Sequence, residues 1–581
     1  MSRSVLRRLL RLLCLSVGTV GFTLLAVCAG GAPQEWTTDT LPDFSDGQMS
    51  DVDVWTVPGT ARLDRRWWPN VRVNDDLTEE KWYPRLSFIP GGTAGLTTTR
   101  FLAVWQDSRN AEHCPDIYFS YSDDGGRTWE PNVMIENACD PDAPPYPDCA
   151  CLYTPDITVR KADERVWVVW HQDPVGDDDG DIYYANGAPD GSSWTSAAPV
   201  YAGDGKQFLP RIAPHGRSGY LYVVWEDERD DDGDIYISRY TGSGWSDPVK
   251  VNDDTTGEEQ RGPVVIADDP GNVYVIWEDL REDGQYEDIY FSRWLTGTTW
   301  GTWTTNVRLS DPDADFAFHP DLAVGSGALF ATWVERKSGY FNLVVAWSLD
   351  QGASWQRTIV DRIYYQLPSG DSVSYQNPSI ASDPMRRVYV TWLRAQGNDS
   401  HVLFSLSPDG GRHWTEPRVL DDINSEVSDE SDSYRTIRIP IAVSFDGKTA
   451  VAWHDRRDDP ANPQIYATGY PADRYLPRGE YVRTFDAGGP AAWGTITWTA
   501  TVSPGTGLWI ATRVVTSPGA GWTAWHTYTH PGEAIPHPSG QVIQYRVLFT
   551  STDGSETAVL DKVVVSYEQY RVYLPLVLRE S

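Results

Sequence analysis

The chain is short of basic residues: 48 Lys and Arg stand against 82 Asp and Glu, a formal charge of -34. A face that neutralises phosphates is thereby excluded, so nucleic acid is not a partner. Methionine (4) and cysteine (6) are scarce. Beyond residue 32 no apolar run is long enough to span a bilayer, so no transmembrane partner is implied. Long stretches of helical periodicity are also missing, and 40 Pro and 49 Gly are spread through the chain, which excludes an all-helical fold. Aromatics are abundant instead. The 27 Trp and 30 Tyr, within a 40% hydrophobic composition, supply ample core material and exclude general disorder.

Arg3, Arg7, Arg8 and Arg11 precede an uncharged run over residues 12–32 that ends in Ala29, Gly30, Gly31 and Ala32. This reads as a signal peptide over 1–32 and predicts a secreted or cell-surface protein. Two alternatives stand beside cleavage: Leu25-Ala26-Val27-Cys28 is a lipobox with Val where a small residue belongs, and the run is long enough to remain as an anchor. Cys14 and Cys28 fall in this leader, leaving Cys114, Cys139, Cys149 and Cys151. An even number in an oxidising compartment predicts two disulfides with three possible pairings. Cys114 is expected to bridge to one of the other three, because it sits in a long turn and they lie in an insertion that can fold back over it. Zinc at Cys149-Ala150-Cys151 is the alternative, without a CxxC pair or neighbouring His to support it.

Internal repetition governs the rest. An apolar pair followed by Trp recurs at Trp105, Trp170, Trp225, Trp277, Trp333, Trp392 and Trp453, each after a short stretch opened by Pro84, Pro155, Pro210, Pro263, Pro320, Pro378 or Pro440. An acidic turn and an alternating strand follow, as in Asp116-Ile117-Tyr118 and Asp288-Ile289-Tyr290, then a tight turn and a closing strand such as Val249-Lys250-Val251-Asn252-Asp253-Asp254. Four short strands per unit predict a seven-bladed β-propeller over 70–474. The seventh unit lacks a closing strand, while Val71-Arg72-Val73-Asn74-Asp75-Asp76 stands alone before the first. The N-terminal segment is therefore expected to complete blade seven and leave no open edge.

Ser122-Asp123-Asp124-Gly125-Gly126-Arg127-Thr128-Trp129, Ser348-Leu349-Asp350-Gln351-Gly352-Ala353-Ser354-Trp355 and Ser407-Pro408-Asp409-Gly410-Gly411-Arg412-His413-Trp414 resemble the Asp-box, or BNR repeat, of sialidase-superfamily propellers from secreted bacterial proteins, with His413 a departure. Pro189-Asp190-Gly191-Ser192-Ser193-Trp194 is a shortened copy. The motif is a hairpin turn in which Asp accepts backbone donors and Gly takes positive φ, so it locates the fold and not the chemistry.

The resemblance implies a carbohydrate ligand, a glycan or glycoconjugate, and an exo-sialidase type of glycosidase, with a non-catalytic surface propeller binding glycan or protein as the alternative. Arg438-Ile439-Pro440 looks like the sialidase RIP motif, whose Arg holds the substrate carboxylate. Ala452-Trp453-His454-Asp455-Arg456-Arg457 resembles the D-x-R that comes after it and puts Arg457 in its second arginine position. The acid/base Asp would then be Asp458 or Asp459, and a Tyr paired with Glu or Asp would face it. D-x-R also recurs at Asp107, Asp227 and Asp279, where it reads as a blade-stabilising ion pair. Two positions before each repeat Pro lie Trp82, Tyr153, Phe208, Arg261, Phe318, Gln376 and Arg438. In register they form one ring at the channel entrance, suited to gripping a sugar and its carboxylate or simply to plugging the channel.

No cofactor is required by this reading. Asp177, Asp179 and Asp181, with Asp230, Asp232 and Asp234, place alternate carboxylates on tight loops that suit structural Ca²⁺, solvated turns being the alternative. After a linker over 33–69 and the propeller, residues 478–569 alternate as in Ile543, Tyr545, Val547 and Phe549, predicting a β-sandwich accessory domain. Its Trp493, Trp498, Trp509, Trp522 and Trp525 either stack on sugars or fill its core. Residues 570–581 form a tail, read for sorting or attachment or serving as a last strand. Nothing in the sequence calls for a second copy, and a monomer is expected.

Overall fold

The computed structural model describes residues 27–30, 34–40, 48–50, 52–54, 60–110, 114–137, 151–173, 180–216, 218–282, 284–365, 373–396, 399–422, 438–471, 474–517 and 519–573. The leader before residue 27, Cys139, Cys149, Asp177, Asp179 and the tail beyond 573 lie outside them. The described residues are all-β and divide into two compact units, residues 67–471 and residues 1–66 with 472–581.

The first unit is a seven-bladed β-propeller of seven four-stranded antiparallel sheets. The inner strands open with Lys81–Ile89, Cys151–Arg160, Gln207–Pro214, Gln260–Ala267, Phe316–Gly325 and Val373–Ser382, and Ile441–Val443 is that of blade seven. Blade seven is completed by Val71–Arg72, which pairs with Gln464–Tyr470 in the register Tyr466 to Arg72 and Ala467 to Val71. The seven repeat tryptophans are all fully buried. In each Asp-box the carboxylate closes its turn as the motif requires: Asp124 accepts from the Arg127 and Thr128 amides at 3.0 and 2.9 Å. The departure at His413 is accommodated, since its Nδ1 takes the place of the usual hydroxyl against Asp409 at 2.5 Å. Cys114 is disulfide-bonded to Cys151, with Cα atoms 4.5 Å apart.

The second unit departs from the expected linker plus separate sandwich. Its eleven strands belong to one hydrogen-bonded sheet. The 24-residue strand Arg478–Thr501 pairs through its first half with Gly540–Ser551 and through its second with Val559–Tyr573. Residues 34–63 are not a linker: Gln34–Thr38 pairs with Val559–Tyr573, Gln48–Ser50 with Arg478–Thr501, and Ala61–Leu63 with Val559–Tyr573. Val52, Val54, Ala61 and Leu63 alternate inward and join Tyr481, Ile543 and Val563 in one core, so this segment supplies apolar surface that residues 478–569 alone would leave uncovered. Trp493 is buried in that core and Trp498 packs against it. Trp509 and Trp522 are exposed, and Arg513 stacks on Trp522 and Trp525 at 4.7 and 4.5 Å.

Candidate functional site

Antiparallel order fixes the two faces of the propeller. The inner strands start on the face where the turns after the repeat tryptophans and the connections between blades emerge, and the Asp-boxes lie at the other end. The expected ring stands at this entry face. In blades one to six each ring residue sits at a bulge, where the register shifts between Trp82 and Arg85, Tyr153 and Asp156, Phe208 and Arg211, Arg261 and Val264, Phe318 and Asp321, and Gln376 and Ser379. The next residue is left-handed in all six: Tyr83, Thr154, Leu209, Gly262, His319 and Asn377 have φ between 49° and 58°. Five of them are not glycine, so this conformation needs support from its surroundings.

That support comes from the neighbouring blade. The residue following the repeat Trp reaches across and accepts the amide freed by the bulge. Gln106 accepts Thr154 N–H at 3.2 Å, Glu226 accepts Gly262 N–H at 3.3 Å, and Glu278 accepts His319 N–H at 2.7 Å. His319 in turn accepts Asn377 N–H through Nδ1 at 3.2 Å. His171 occupies the same position in blade two, bonded to Thr154 Oγ1 at 3.0 Å, and burial followed by Lys206 lowers its pKa to about 3, so it is neutral. Gln106, His171, Glu226 and Glu278 were legible in principle, since each directly follows a repeat Trp.

Between blades three and four the entry face opens into a cavity of about 460 Å³ lined by Glu228, Asp231, Asp232, Glu258, Glu259, Leu280 and Gly284. Beside it Arg261 is bound by Glu259 at 2.7 Å, by Glu278 at 3.1 Å and by Glu287. Glu226 is buried, and loss of water, reinforced by Glu259, pushes its carboxyl well above the usual carboxylate range. In ring order the cavity is flanked by Phe208, which carries Lys206 at 5.7 Å, and by Phe318, packed on Phe316 at 5.5 Å.

The sialidase-type constellation does not assemble. Arg457 binds Asp455 and Asp422, both at 2.7 Å, and covers the Tyr466 ring at 4.1 Å. Arg109 and Arg281 do the same with Asp107 and Asp75 and with Asp279 and Asp253. Trp105, Trp277 and Trp453 donate Nε1–H to the same aspartates at 2.9, 2.8 and 2.9 Å. D-x-R is thus a staple joining a Trp, an Arg and the preceding blade, and it leaves Arg457 no free arm for a substrate carboxylate. Arg438 instead pairs with Asp321 at 3.4 Å and shares no partner with Arg457 among the described residues. Arg261, expected to hold a substrate anion, is enclosed by three carboxylates.

The expected acids fare similarly. Asp458 accepts Tyr466 Oη–H at 2.7 Å, repeating the Glu282 to Tyr290 pair at 2.8 Å. Asp459 is half-buried and accepts from the Ala461 amide and the Asn462 side chain; those bonds lower its pKa, the wrong direction for a proton donor. The tyrosines bonded to carboxylates, Tyr236, Tyr290, Tyr375 and Tyr466, have raised pKa values, led by burial, which is unsuited to a nucleophile. The aspartates expected to hold Ca²⁺ are also engaged. Asp230 accepts from Tyr236 Oη, Asp234 from Lys250 and Asn252, and Asp181 from the Gly203 amide, while Asp232 lines the cavity. Among the described residues no group of three or more His, Cys, Asp or Glu is placed to hold a metal ion. No helix among them is long and apolar enough to cross a membrane.

No curated protein matches the chain. Among solved structures, the intramolecular trans-sialidase from Ruminococcus gnavus is 11% identical over 55% of this chain and 91% of its own, with a TM-score of 0.39. An α-L-arabinofuranosidase of Fusarium graminearum is 11% identical over 70% and 98%, with a TM-score of 0.38. A polysaccharide lyase acting as an ulvan lyase is 12% identical over 69% and 95%, with a TM-score of 0.43. At such identities the likeness concerns fold and transmits no chemistry. Residues 219–434 match the family described as a BNR repeat-like domain. With the Asp-box turns in place, residues 219–434 thus carry a BNR repeat-like region within a seven-bladed β-propeller.

Proposed function

We propose that the chain is a secreted or cell-surface propeller of glycoside hydrolase type, acting as a monomer on a neutral or amino sugar bound in the acid-lined cavity between blades three and four. The observation that carries this reading is Glu226, a buried carboxyl pushed well above the usual carboxylate range beside the ionic Glu259–Arg261 pair. A proton donor next to a second carboxylate is the pairing that cleavage of a glycosidic bond needs. Phe208 and Phe318 offer faces on which a sugar ring stacks, and the carboxylates of the rim accept its hydroxyls. Five acidic residues line the cavity, so the carboxylate of a sialic acid would be repelled there. This reading therefore replaces the exo-sialidase expectation.

One observation favours the second reading, a non-catalytic glycan-binding propeller: Glu226 already serves as the cap of Gly262, as Gln106 does for Thr154. Turnover of a panel of neutral, amino and sialylated aryl glycosides separates the two. Wild type is expected to cleave a neutral or amino substrate, and Glu226→Gln, which keeps the cap, to lose about a hundredfold or more in kcat. A wild type inert on the whole panel yet retained on a glycan array establishes the binding module.

A further inference from the structure

Below the ring, the central channel carries a second set of charges. The residue after the repeat Pro is Arg85, Asp156, Arg211 and Asp321 in blades one, two, three and five, and Arg438 enters from blade seven. Each aspartate spends one oxygen on the next blade: Asp156 Oδ2 accepts Ile212 N–H at 2.9 Å, and Asp321 Oδ2 accepts Ile380 N–H at 2.9 Å. The other oxygens face arginines, Asp156 Oδ1 lying 3.9 Å from Arg85 Nε and Asp321 Oδ1 3.4 Å from Arg438 Nη1. Arg85, Arg211 and Arg438 are only 5%, 6% and 7% exposed. Arg211 has no carboxylate within ion-pair range among the described residues, and its one hydrogen bond goes to the Pro210 carbonyl at 3.1 Å. Arg438 Nε and Nη1 are buried without a hydrogen-bond acceptor. Arg85 and Arg211 each lie within Coulombic reach of Asp156, Asp321 and Arg438 and of one another, and burial, with repulsion from Arg85, pulls Arg211 well below its ordinary pKa.

Among the described residues, three guanidinium groups against two carboxylates leave one positive charge in surroundings poor in water. A guanidinium does not discharge itself by losing its proton in a protein, and burying it uncompensated is costly. We propose that the channel binds one small inorganic monoanion, a halide such as chloride, held by the N–H groups of Arg211 and Arg438 that have no protein acceptor. A single negative charge neutralises the set and bridges blades three and seven, so the ion is a structural ligand of the ring. It does not touch Glu226 or the acidic cavity, and the site stands or falls independently of the proposed hydrolase.

The test is thermal unfolding of the full chain in sodium bromide or chloride against sodium gluconate at equal ionic strength, which holds screening constant. Wild type is expected to melt about 2 °C or more higher in halide, with saturation. Arg211→Met should erase that difference, because it removes the unmatched charge. Asp156→Asn, which adds to the positive excess, should shift the halide midpoint to about tenfold lower concentration. Glu226→Gln should leave it unchanged. Crystals grown in bromide should show an anomalous peak between the arginines. Equal melting of wild type in halide and gluconate overturns the proposal, as does a halide effect that survives in Arg211→Met. Should Arg211→Met fail to fold, the Asp156→Asn shift and the bromide peak decide.

Discussion

Glu226 carries a consequence for stability that is independent of any substrate. Burial and then Glu259 raise its pKa in the folded state, whereas the unfolded chain ionises it near the ordinary 4.5. Between that value and the raised one the native protein holds a proton that the unfolded chain has released, so stability from this group falls as pH rises through the window. Glu226→Gln keeps an acceptor for Gly262 N–H, as Gln106 already does in blade one. The variant should therefore match wild type near pH 4 and melt progressively higher than wild type as pH rises to 7. A difference in melting temperature that stays flat over this range would show that Glu226 ionises normally in the native state.

At the scale of strands and turns, the staple explains why a persuasive motif misleads. Arg457 and Arg281 have the same partners in the same geometry: an aspartate two residues earlier, an aspartate of the preceding blade at 2.7 and 2.8 Å, and a tyrosine face at 4.1 and 4.3 Å. Removing either guanidinium strands a fully buried aspartate, Asp455 or Asp279, at a cost of about 3 kcal/mol. Arg457→Ala and Arg281→Ala should thus lower the melting temperature alike and leave carbohydrate turnover or retention, assayed well below it, unchanged. Loss of glycan recognition in Arg457→Ala alone, at wild-type stability, would return that arginine to the site. The propeller, the Asp-box turns and the ring register of blades one to six were legible because strand period, repeat Pro and buried Trp recur together within 13–21 residues in every unit, and the closure because Val71–Asp76 nearly duplicates the closing strand at Val249–Asp254. That Cys114 pairs with a cysteine of the insertion was legible for a different reason, since beyond residue 32 only Cys139, Cys149 and Cys151 are offered to it. The roles of Arg457 and Arg261 were not, because they depend on carboxylates from other strands: Asp422 lies 35 residues from Arg457, and Glu287 lies 26 from Arg261. Residues 34–63 escaped notice for a related reason, since Gln34–Thr38, Gln48–Ser50 and Ala61–Leu63 pair with strands beyond residue 477 and only Val52–Asp53 pairs locally, with Ala61–Leu63.

For the propeller as a whole, the decisive joint is the one between its two chain ends. Val71–Arg72 supplies only two ladder pairs to blade seven, so the junction also rests on Trp68, whose N–H donates to Gly469 O at 2.8 Å, and on the three residues just beyond Arg72. Val73 N–H donates to Ile465 O at 2.8 Å, the buried Asn74 accepts Ile465 N–H at 2.8 Å and donates to Gln464 at 2.7 Å, and Asp75 binds Arg109 of blade one at 2.8 Å. The near-duplicate segment in blade three makes the same bonds, Asn252 accepting Ile235 N–H at 2.9 Å and Asp253 binding Arg281 at 2.8 Å, but there the chain is continuous on both sides. Asn74→Ala and Asn252→Ala each leave a buried amide without its acceptor, a local loss of about 1–3 kcal/mol. Only the first loosens a strand held to its blade by no covalent neighbour, and in a ring that has no other free edge such an opening exposes two. Amide exchange over Gln464–Tyr470 should accelerate by ten- to a hundredfold in Asn74→Ala, while exchange over Asp234–Tyr240 in Asn252→Ala rises no faster than its lowered global stability requires. Equal local acceleration in both variants would mean that the joint at Val71 is no weaker than any other blade edge, and that ring closure is secured elsewhere.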